Sequence, residues 1–173
     1  MSNSKFEFTS ETRAFLGATL HRIRALRSFG DVKKGDLGGF ISRETSLSAS
    51  FNSWVYDDAI VAEYAQVRDN AVARNNAVVR NHSRISGRVQ ILDAALICDH
   101  AWVCHDAIAR NNSQVHDNAM LIDNAVLCDN AKLLDNAVAC EYAQLFDNAM
   151  ARGHYRVSGH TQLIGNAQVP SDA

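Results

Sequence analysis

A six-residue repeat constrains this chain more than any other feature of its sequence. Residues 53–172 divide into twenty consecutive units without insertion or deletion, and we label the positions of each unit a to f, starting at Ser53. Position a is Ala in fourteen units, c is Val, Ile or Leu in sixteen, e is Asp in nine and f is Asn in nine. A chain with so short a period folds by stacking its repeats, because each repeat completes its core only against its neighbours.

The pattern within a unit predicts a very short strand followed by a corner. Positions a and c are two residues apart, so their apolar side chains point to one side of an extended segment and b and d point to the other. Asp, Asn and Gly at e and f suit the left-handed backbone of a tight turn. The sequence therefore predicts an all-β solenoid, a parallel β-helix with Ala and larger aliphatic residues alternating in its interior.

The most regular stretch is residues 117–134, in which the segments 117–122, 123–128 and 129–134 each begin with Asp-Asn-Ala at positions e, f and a. This pattern resembles the hexapeptide-repeat, left-handed β-helix proteins, in which three units make one triangular coil. Within that class it resembles the YdcK-like proteins of bacteria and prophages, and the resemblance extends to residues 13–15, 26–40 and 54–56. It implies a left-handed parallel β-helix of nearly seven coils. It does not fix the function, because one fold hosts unrelated activities.

Residues 1–52 differ in kind, since they hold six of the seven Phe and five of the nine Gly. We expect strands over residues 5–9 and 19–26 and a turn-rich loop over 30–39. The end of a β-helix exposes unpaired strand edges that must be covered. The sequence thus predicts an N-terminal β cap at 1–52 and a β-helix at 53–173, with a terminating coil from about 153.

Charge and hydropathy limit the classes of partner. The net charge of −2 argues against nucleic-acid binding, although residues 1–90 carry a balance of +4 and residues 91–173 a balance of −6. There is no signal-peptide pattern and no apolar run of membrane-spanning length, so we expect a bacterial or phage-infected cytoplasm and no membrane partner. The candidates for contacts to an anion or a partner are Arg22, Arg24, Arg68 and Arg84.

The acidic and sulfur-containing side chains predict neither a metal site nor a cofactor. All four cysteines fall at the outward position d, and their spacings match no zinc motif. Asp at position e is explained by a hydrogen bond to the backbone of its own corner, the Asx turn. The cysteines, expected as small surface or interface residues, are Cys98, Cys104, Cys128 and Cys140.

The histidines raise the alternative of an enzyme. With three units per coil, His82 and His100 lie on one corner in adjacent coils, and Tyr64 stacks above them. In acyltransferases of this fold, the resemblance implies, a catalytic His works in a groove between subunits beside a loop extruded from a coil. The unbroken repeats leave no room for such a loop. We therefore keep an acyl-CoA-dependent acyltransferase as the alternative function, with His100 and His105 as weak catalytic candidates.

Sorting the outward positions by eighteen residues gives three faces, of which one is apolar and uncharged in its middle coils. Contiguous apolar patches rimmed by polar residues mark interaction sites, and Trp and Met are enriched in interface cores. We predict a non-enzymatic binding or scaffold protein, a dimer or trimer, whose face packs against a second copy or a protein target. The resemblance suggests a phage or prophage accessory protein that blocks a host or defence protein. The face comprises Trp102, Cys104, Met120, Ile122, Val138 and Cys140.

Overall fold

A computed structural model describes residues 4–169, so residues 1–3 of the predicted cap and 170–173 of the predicted helix lie outside it. Three strands precede the repeats, β1 (Phe6–Phe15), β2 (Ala18–Ala25) and β3 (Leu37–Ile41), followed by a 3-10 turn at Glu44–Ser46. Each of the twenty units then contributes one two-residue strand at positions b and c. In chain order these are β4 (Trp54–Val55), β5 (Ile60–Val61), β6 (Gln66–Val67), β7 (Val72–Ala73), β8 (Val78–Val79), β9 (Arg84–Ile85), β10 (Gln90–Ile91), β11 (Leu96–Ile97), β12 (Trp102–Val103), β13 (Ile108–Ala109), β14 (Gln114–Val115), β15 (Met120–Leu121), β16 (Val126–Leu127), β17 (Lys132–Leu133), β18 (Val138–Ala139), β19 (Gln144–Leu145), β20 (Met150–Ala151), β21 (Arg156–Val157), β22 (Gln162–Leu163) and β23 (Gln168–Val169).

The short strands form three parallel sheets, one for each side of a triangular left-handed β-helix of about seven coils. Every strand pairs with the strand three units away, so residues 18 apart are neighbours, as in the register Trp102↔Met120 and Met120↔Val138. The sheets have ten, seven and six strands. The predicted fold class and the three-unit coil are confirmed.

The interior is built from positions a and c. Ala125 and Leu127 are both fully buried, as the repeat predicts. Positions a and c are buried in every unit from the one that begins at Ala59 to the one that begins at Ala149. The coils are joined by backbone hydrogen bonds: the Val126 N–H donates to the Ala143 carbonyl (2.9 Å) and the Cys128 N–H to the Leu145 carbonyl (3.0 Å). Each unit thus pairs its backbone and hides its apolar side only because a coil lies above and below it.

The corners hold their shape by a different bond from the one expected. Every position e from Asp57 to Gly165 has a positive φ, the left-handed backbone that Asp, Asn and Gly tolerate. The carboxylates there do not close Asx turns on their own corner. The Asp135 carboxylate accepts the Gly153 N–H (2.9 Å), and the Asp117 carboxylate accepts the Asp135 N–H (3.1 Å). Position e therefore forms a ladder that ties each coil to the next.

The N-terminal strands extend the ten-stranded sheet. β1 and β2 form an antiparallel hairpin, and β3 pairs with β2 on one side and in parallel with β5 on the other. The strands predicted at 5–9 and 19–26 are confirmed, although the first continues to Phe15, and the loop predicted at 30–39 ends earlier, because β3 begins at Leu37. Gly38 permits this approach, since a Cβ there would lie 2.7 Å from the Val55 carbonyl.

The cysteines are not at the surface, which corrects the sequence-based expectation. Cys98, Cys104, Cys128 and Cys140 are at most 5% exposed, although all lie at the outward position d. A thiol is short, and in the 18-residue register each one lies between the position-d side chains of the coils above and below. Their neighbours include long groups such as Arg80 and Phe146. Cys104 and Cys140 therefore add little surface to the predicted interface.

Candidate functional site on the six-stranded face

The six-stranded sheet carries the apolar face that the sequence predicts. Its outward side chains Trp102, Met120 and Val138 are paired side by side in register, and Ile122 lies beside them. Trp102 is 45% exposed, while the other three are partly exposed. We call these four residues the apolar face. It is bordered by two exposed arginines of the same sheet, Arg84 above and Arg156 below.

A column of stacked rings follows the edge of this sheet. It lies at the turns that connect the ten-stranded sheet to the six-stranded sheet, which we call the histidine corner (residues 63–64, 81–82, 99–100 and 117–118). The Tyr64 and His82 rings are 4.8 Å apart and inclined by 9°, and the His82 and His100 rings are 5.2 Å apart and inclined by 8°. The Arg43 guanidinium lies 3.8 Å above Tyr64. The predicted stacking of Tyr64, His82 and His100 is confirmed.

Between this column and the apolar face the surface is indented by three adjoining shallow pockets. One is lined by His82, Arg84, His100 and Trp102. The other two extend from it toward Arg68 and Gln66 on the same face and toward Arg43 and Tyr64 at the corner. Arg84 lines all three pockets. A guanidinium beside aromatic rings can bind an anion and stack on a planar group at the same time.

The four arginines predicted as partner contacts fall into two pairs. Arg22 contacts Glu11 (2.9 Å) and Asp58 of the first repeat unit (3.1 Å), and Arg24 contacts Glu7 (2.8 Å), so both guanidinium groups are paired with carboxylates. Arg68 bonds the neighbouring Gln66 and lines a pocket, as does Arg84. The structure thus brings Arg68 and Arg84 to the candidate site and leaves Arg22 and Arg24 outside it.

His105, the second catalytic candidate, occupies position e of another corner. Its Nδ1 lies 3.3 Å from the Asp123 N–H and 3.0 Å from the Asp123 carboxylate. It therefore fills the place of a ladder carboxylate, with a φ of 65°. This position gives His105 a structural role in the ladder, and His105 is not among the residues that line the pocket of His100.

The histidine corner also brings together metal-ligating groups that are distant in sequence. The Cys98 thiol donates to the Asp99 carboxylate (3.2 Å), and the His116 Nδ1 lies 2.8 Å from the Asp117 carboxylate in the next coil. Single ligand atoms of Asp99, His116 and Asp117 all lie within 4.8 Å of one another. Burial and the bond to Asp99 raise the pKa of the Cys98 thiol to about 12.

Sequence analysis missed this cluster because it assigned the corner carboxylates to Asx turns and compared the spacings of the cysteines only along the chain. The signal that could have found it is the period itself: Cys98-Asp99 and His116-Asp117 are 18 residues apart, one coil. A search for ligand pairs at that spacing identifies them without coordinates.

Comparison with known proteins agrees with the fold and leaves the activity open. The six-residue repeats and the stacked coils of this chain are those of a hexapeptide-repeat β-helix protein. Over 66 residues it is 36% identical to a protein of Escherichia coli (strain K12) named "Uncharacterized acetyltransferase YdcK". The match covers 34% of this chain and 20% of that relative, so the chain spans about a fifth of the relative's length. No protein-family profile matches the chain.

No helix among residues 4–169 is long and apolar enough to cross a membrane.

Proposed function

We propose that this chain is a homo-oligomeric binding protein whose copies, two or three, pack through the apolar face. The observation that carries the proposal is the uncharged strip Trp102, Met120, Ile122 and Val138 across three successive coils. Soluble proteins rarely leave such a strip facing water, and a Trp that is 45% exposed at its edge is typical of an interface anchor. The flat shape of a β-helix side suits the same side of a second copy, which is how a symmetric interface forms.

In this proposal the oligomer acts by binding another protein, without chemistry. A bacterial or phage-infected cytoplasm is its proposed location. The resemblance to YdcK-like proteins of prophages suggests a phage accessory role in which a host or defence protein is bound and blocked. The surface that remains for such a partner includes the pockets beside Arg68 and Arg84, which lie at the rim of the proposed interface.

Sedimentation velocity of the untagged chain and its Met120→Asp variant tests the proposal. The chain has a mass of 19.0 kDa, so we expect the wild type at two or three times that mass. Met120→Asp should sediment as the monomer with an unchanged circular dichroism spectrum, because a charge cannot be desolvated there without a partner. The matched control is Val126→Asp, at the same position of a unit on the seven-stranded sheet. A monomeric wild type, or equal dissociation by both variants, contradicts the proposal.

Acyl transfer is the second candidate, and it is favoured by the pocket of His82, Arg84, His100 and Trp102 together with the name of the relative. In this case Arg84 pairs with a phosphate of acyl-CoA, the adenine ring stacks on the exposed aromatic groups and His100 accepts the proton of the nucleophile. His82 and His100 both stack on neighbouring rings. Within residues 4–169 neither has a hydrogen bond to a carboxylate that would orient it as a base, and this favours binding without chemistry.

Calorimetric titration with acetyl-CoA separates the two candidates. Acyl transfer requires saturable binding that Arg84→Ala weakens and that Arg24→Ala, on the N-terminal hairpin, leaves unchanged. If the wild type gives no heat of binding while the oligomer is intact, the acyltransferase candidate is wrong and the binding protein stands.

A further inference from the structure

We propose that the pocket at the N-terminal end of the ring column binds a phosphate group, carried by a small phosphate monoester. This pocket, which we call the Ser46 pocket, lies between the 3-10 turn and the first two coils of the β-helix. The proposal is independent of the interface proposed above, because no residue that lines the pocket belongs to the apolar face. Its lining includes Arg43, Ser46, Glu63, Tyr64, His82 and Arg84.

Two guanidinium groups of the Ser46 pocket have no carboxylate partner. Within residues 4–169 neither Arg43 nor Arg84 forms an ion pair, whereas Arg22 and Arg88, for example, each pair with a carboxylate. The Arg43 guanidinium stacks its flat face on the Tyr64 ring at 3.8 Å, and this leaves the N–H groups at its edge for a ligand. The pocket therefore presents two positive charges that no acidic side chain of the described residues pairs with.

The acidic residue of the pocket, Glu63, is engaged elsewhere. Its Oε2 accepts the Asn81 N–H at 2.7 Å as part of the ladder between coils. The adjoining pocket adds Arg68, whose Nε donates to the Gln66 side chain at 3.0 Å. The two pockets together thus carry three guanidinium groups against one carboxylate, and this excess favours an anionic ligand.

Ser46 adds a buried hydroxyl that has no partner. The residue is 2% exposed, and its Oγ makes no hydrogen bond within the described part of the chain. Buried polar groups are nearly always paired, so a ligand in the pocket that Ser46 lines would explain this exception. Because the oxygen itself is enclosed, it reaches the ligand by rotation of χ1 to another staggered position. Thr45, exposed in the same turn, offers a second hydroxyl.

The donors favour a phosphate over a carboxylate. A phosphate monoester offers three acceptor oxygens and between one and two negative charges at neutral pH, whereas a carboxylate offers two oxygens and one charge. Two guanidinium groups and two hydroxyls supply more donors than a carboxylate can accept, and guanidinium groups match the geometry of phosphate oxygens. The phosphate would bridge Arg43 of the N-terminal region and Arg84 of β9.

Isothermal titration calorimetry in a phosphate-free buffer of low ionic strength tests the proposal. The probes are adenosine 5′-monophosphate (AMP), inorganic phosphate and adenosine, none of which carries an acyl group. We expect saturable binding of AMP and of phosphate at a single site per chain, and no binding of adenosine. Equal affinities for AMP and phosphate assign the interaction to the phosphate alone. Tighter binding of AMP assigns a further contact to the nucleoside in the adjoining pocket, and both results support the site.

Variants identify the residues that bind. Arg43→Ala and Arg84→Ala should each weaken AMP binding by ~tenfold or more, because each removes a charged hydrogen-bond donor. Arg156→Ala is the matched control, since Arg156 is exposed at the same position of a unit on the same sheet and should leave the affinity unchanged. Ser46→Ala should weaken AMP binding without lowering the Tm of the free chain, because the hydroxyl that it removes has no partner there.

The Met120→Asp chain should bind AMP like the wild type, so a failure of the proposed interface does not affect this test. Circular dichroism checks that each variant is folded. The proposal is overturned by the absence of saturable heat with AMP and phosphate, by binding of adenosine equal to that of AMP, or by an equal loss of affinity in Arg84→Ala and Arg156→Ala.

Discussion

Replacing Asp135 separates the two roles of a corner carboxylate. Its φ is 58°, and its carboxylate accepts the Gly153 N–H at 2.9 Å. Asp135→Asn keeps an acceptor and tolerates the backbone, Asp135→Gly keeps the backbone and loses the acceptor, and Asp135→Ala loses both. A residue other than Gly, Asn or Asp in the left-handed region costs ~1 kcal/mol, and the hydrogen bond contributes ~1 kcal/mol.

The expected order of stability is therefore Asp ≈ Asn, then Gly, then Ala. For a chain of this size 1 kcal/mol corresponds to ~2–4 °C in Tm, so Asp135→Gly should lower the Tm by ~2–4 °C and Asp135→Ala by ~4–8 °C. The assay is thermal unfolding followed by circular dichroism, with urea denaturation as a check. In ordinary extended backbone Gly is the worse residue by ~0.5–1 kcal/mol.

The adjacent Asn136, where φ is not positive, provides the control, because there Ala should be at least as stable as Gly. If Asp135→Ala is as stable as Asp135→Gly, the left-handed backbone does not limit the residue at this corner, and if Asp135→Gly is as stable as Asp135→Asn, the inter-coil hydrogen bond does not stabilise it.

Three further predictions concern the core and the N-terminal region. Ala125→Lys should cost ~3 kcal/mol or more, because it buries an unpaired charge, whereas Val126→Lys on the outward side should change the Tm little; equal effects would refute the register. Deleting residues 1–45 should cause end-to-end association visible by light scattering, since it uncovers β5 as an edge; a monodisperse truncated chain would show that the segment is not a cap. Lys5 is fully buried, and burial first, then the charge of Arg27, lower its pKa from 10.5 to about 8. The unfolded chain keeps this proton between those values and the folded chain does not, so the Lys5 contribution to stability should rise from pH 8 to 10.5; a Lys5→Met variant with the same pH profile as the wild type would exclude it.

The sequence was sufficient for features that depend on the repeat alone. Alternation at a and c predicted the buried interior, and counting by eighteen predicted the apolar face and the stack of His82 on His100. The six-residue repeat does not extend before residue 53. Residues paired between that segment and the first coil are 20 apart in the chain instead of 18, as in Phe40↔Ile60 and Leu47↔Val67. No hexad marks that segment, so the sequence pattern predicts a loop where β3 begins.

The features that sequence analysis missed depend on side chains one coil away. Burial of Cys128 is set by the longer groups stacked above and below it, and not by the direction in which position d points. The Asp135 carboxylate bonds the next coil because the nearest unpaired N–H lies there. The cluster of Asp99 and Asp117 needs His116 at one particular position of the second coil, a coincidence that the average pattern of a unit does not reveal.

The apolar face and the ring column both require that residues 18 apart lie directly above one another. A cross-link measures this: Ser86→Cys places a thiol 18 residues before Cys104, in the register fixed by Arg84↔Trp102. Stacked strands are ~4.8 Å apart, within the reach of a disulfide, and no two native cysteines have this spacing. After mild oxidation and peptide mapping we expect four free thiols in the wild type and a disulfide between residues 86 and 104 in Ser86→Cys. Five free thiols in the folded variant, or a disulfide to another cysteine, would contradict the stacking on which the account rests.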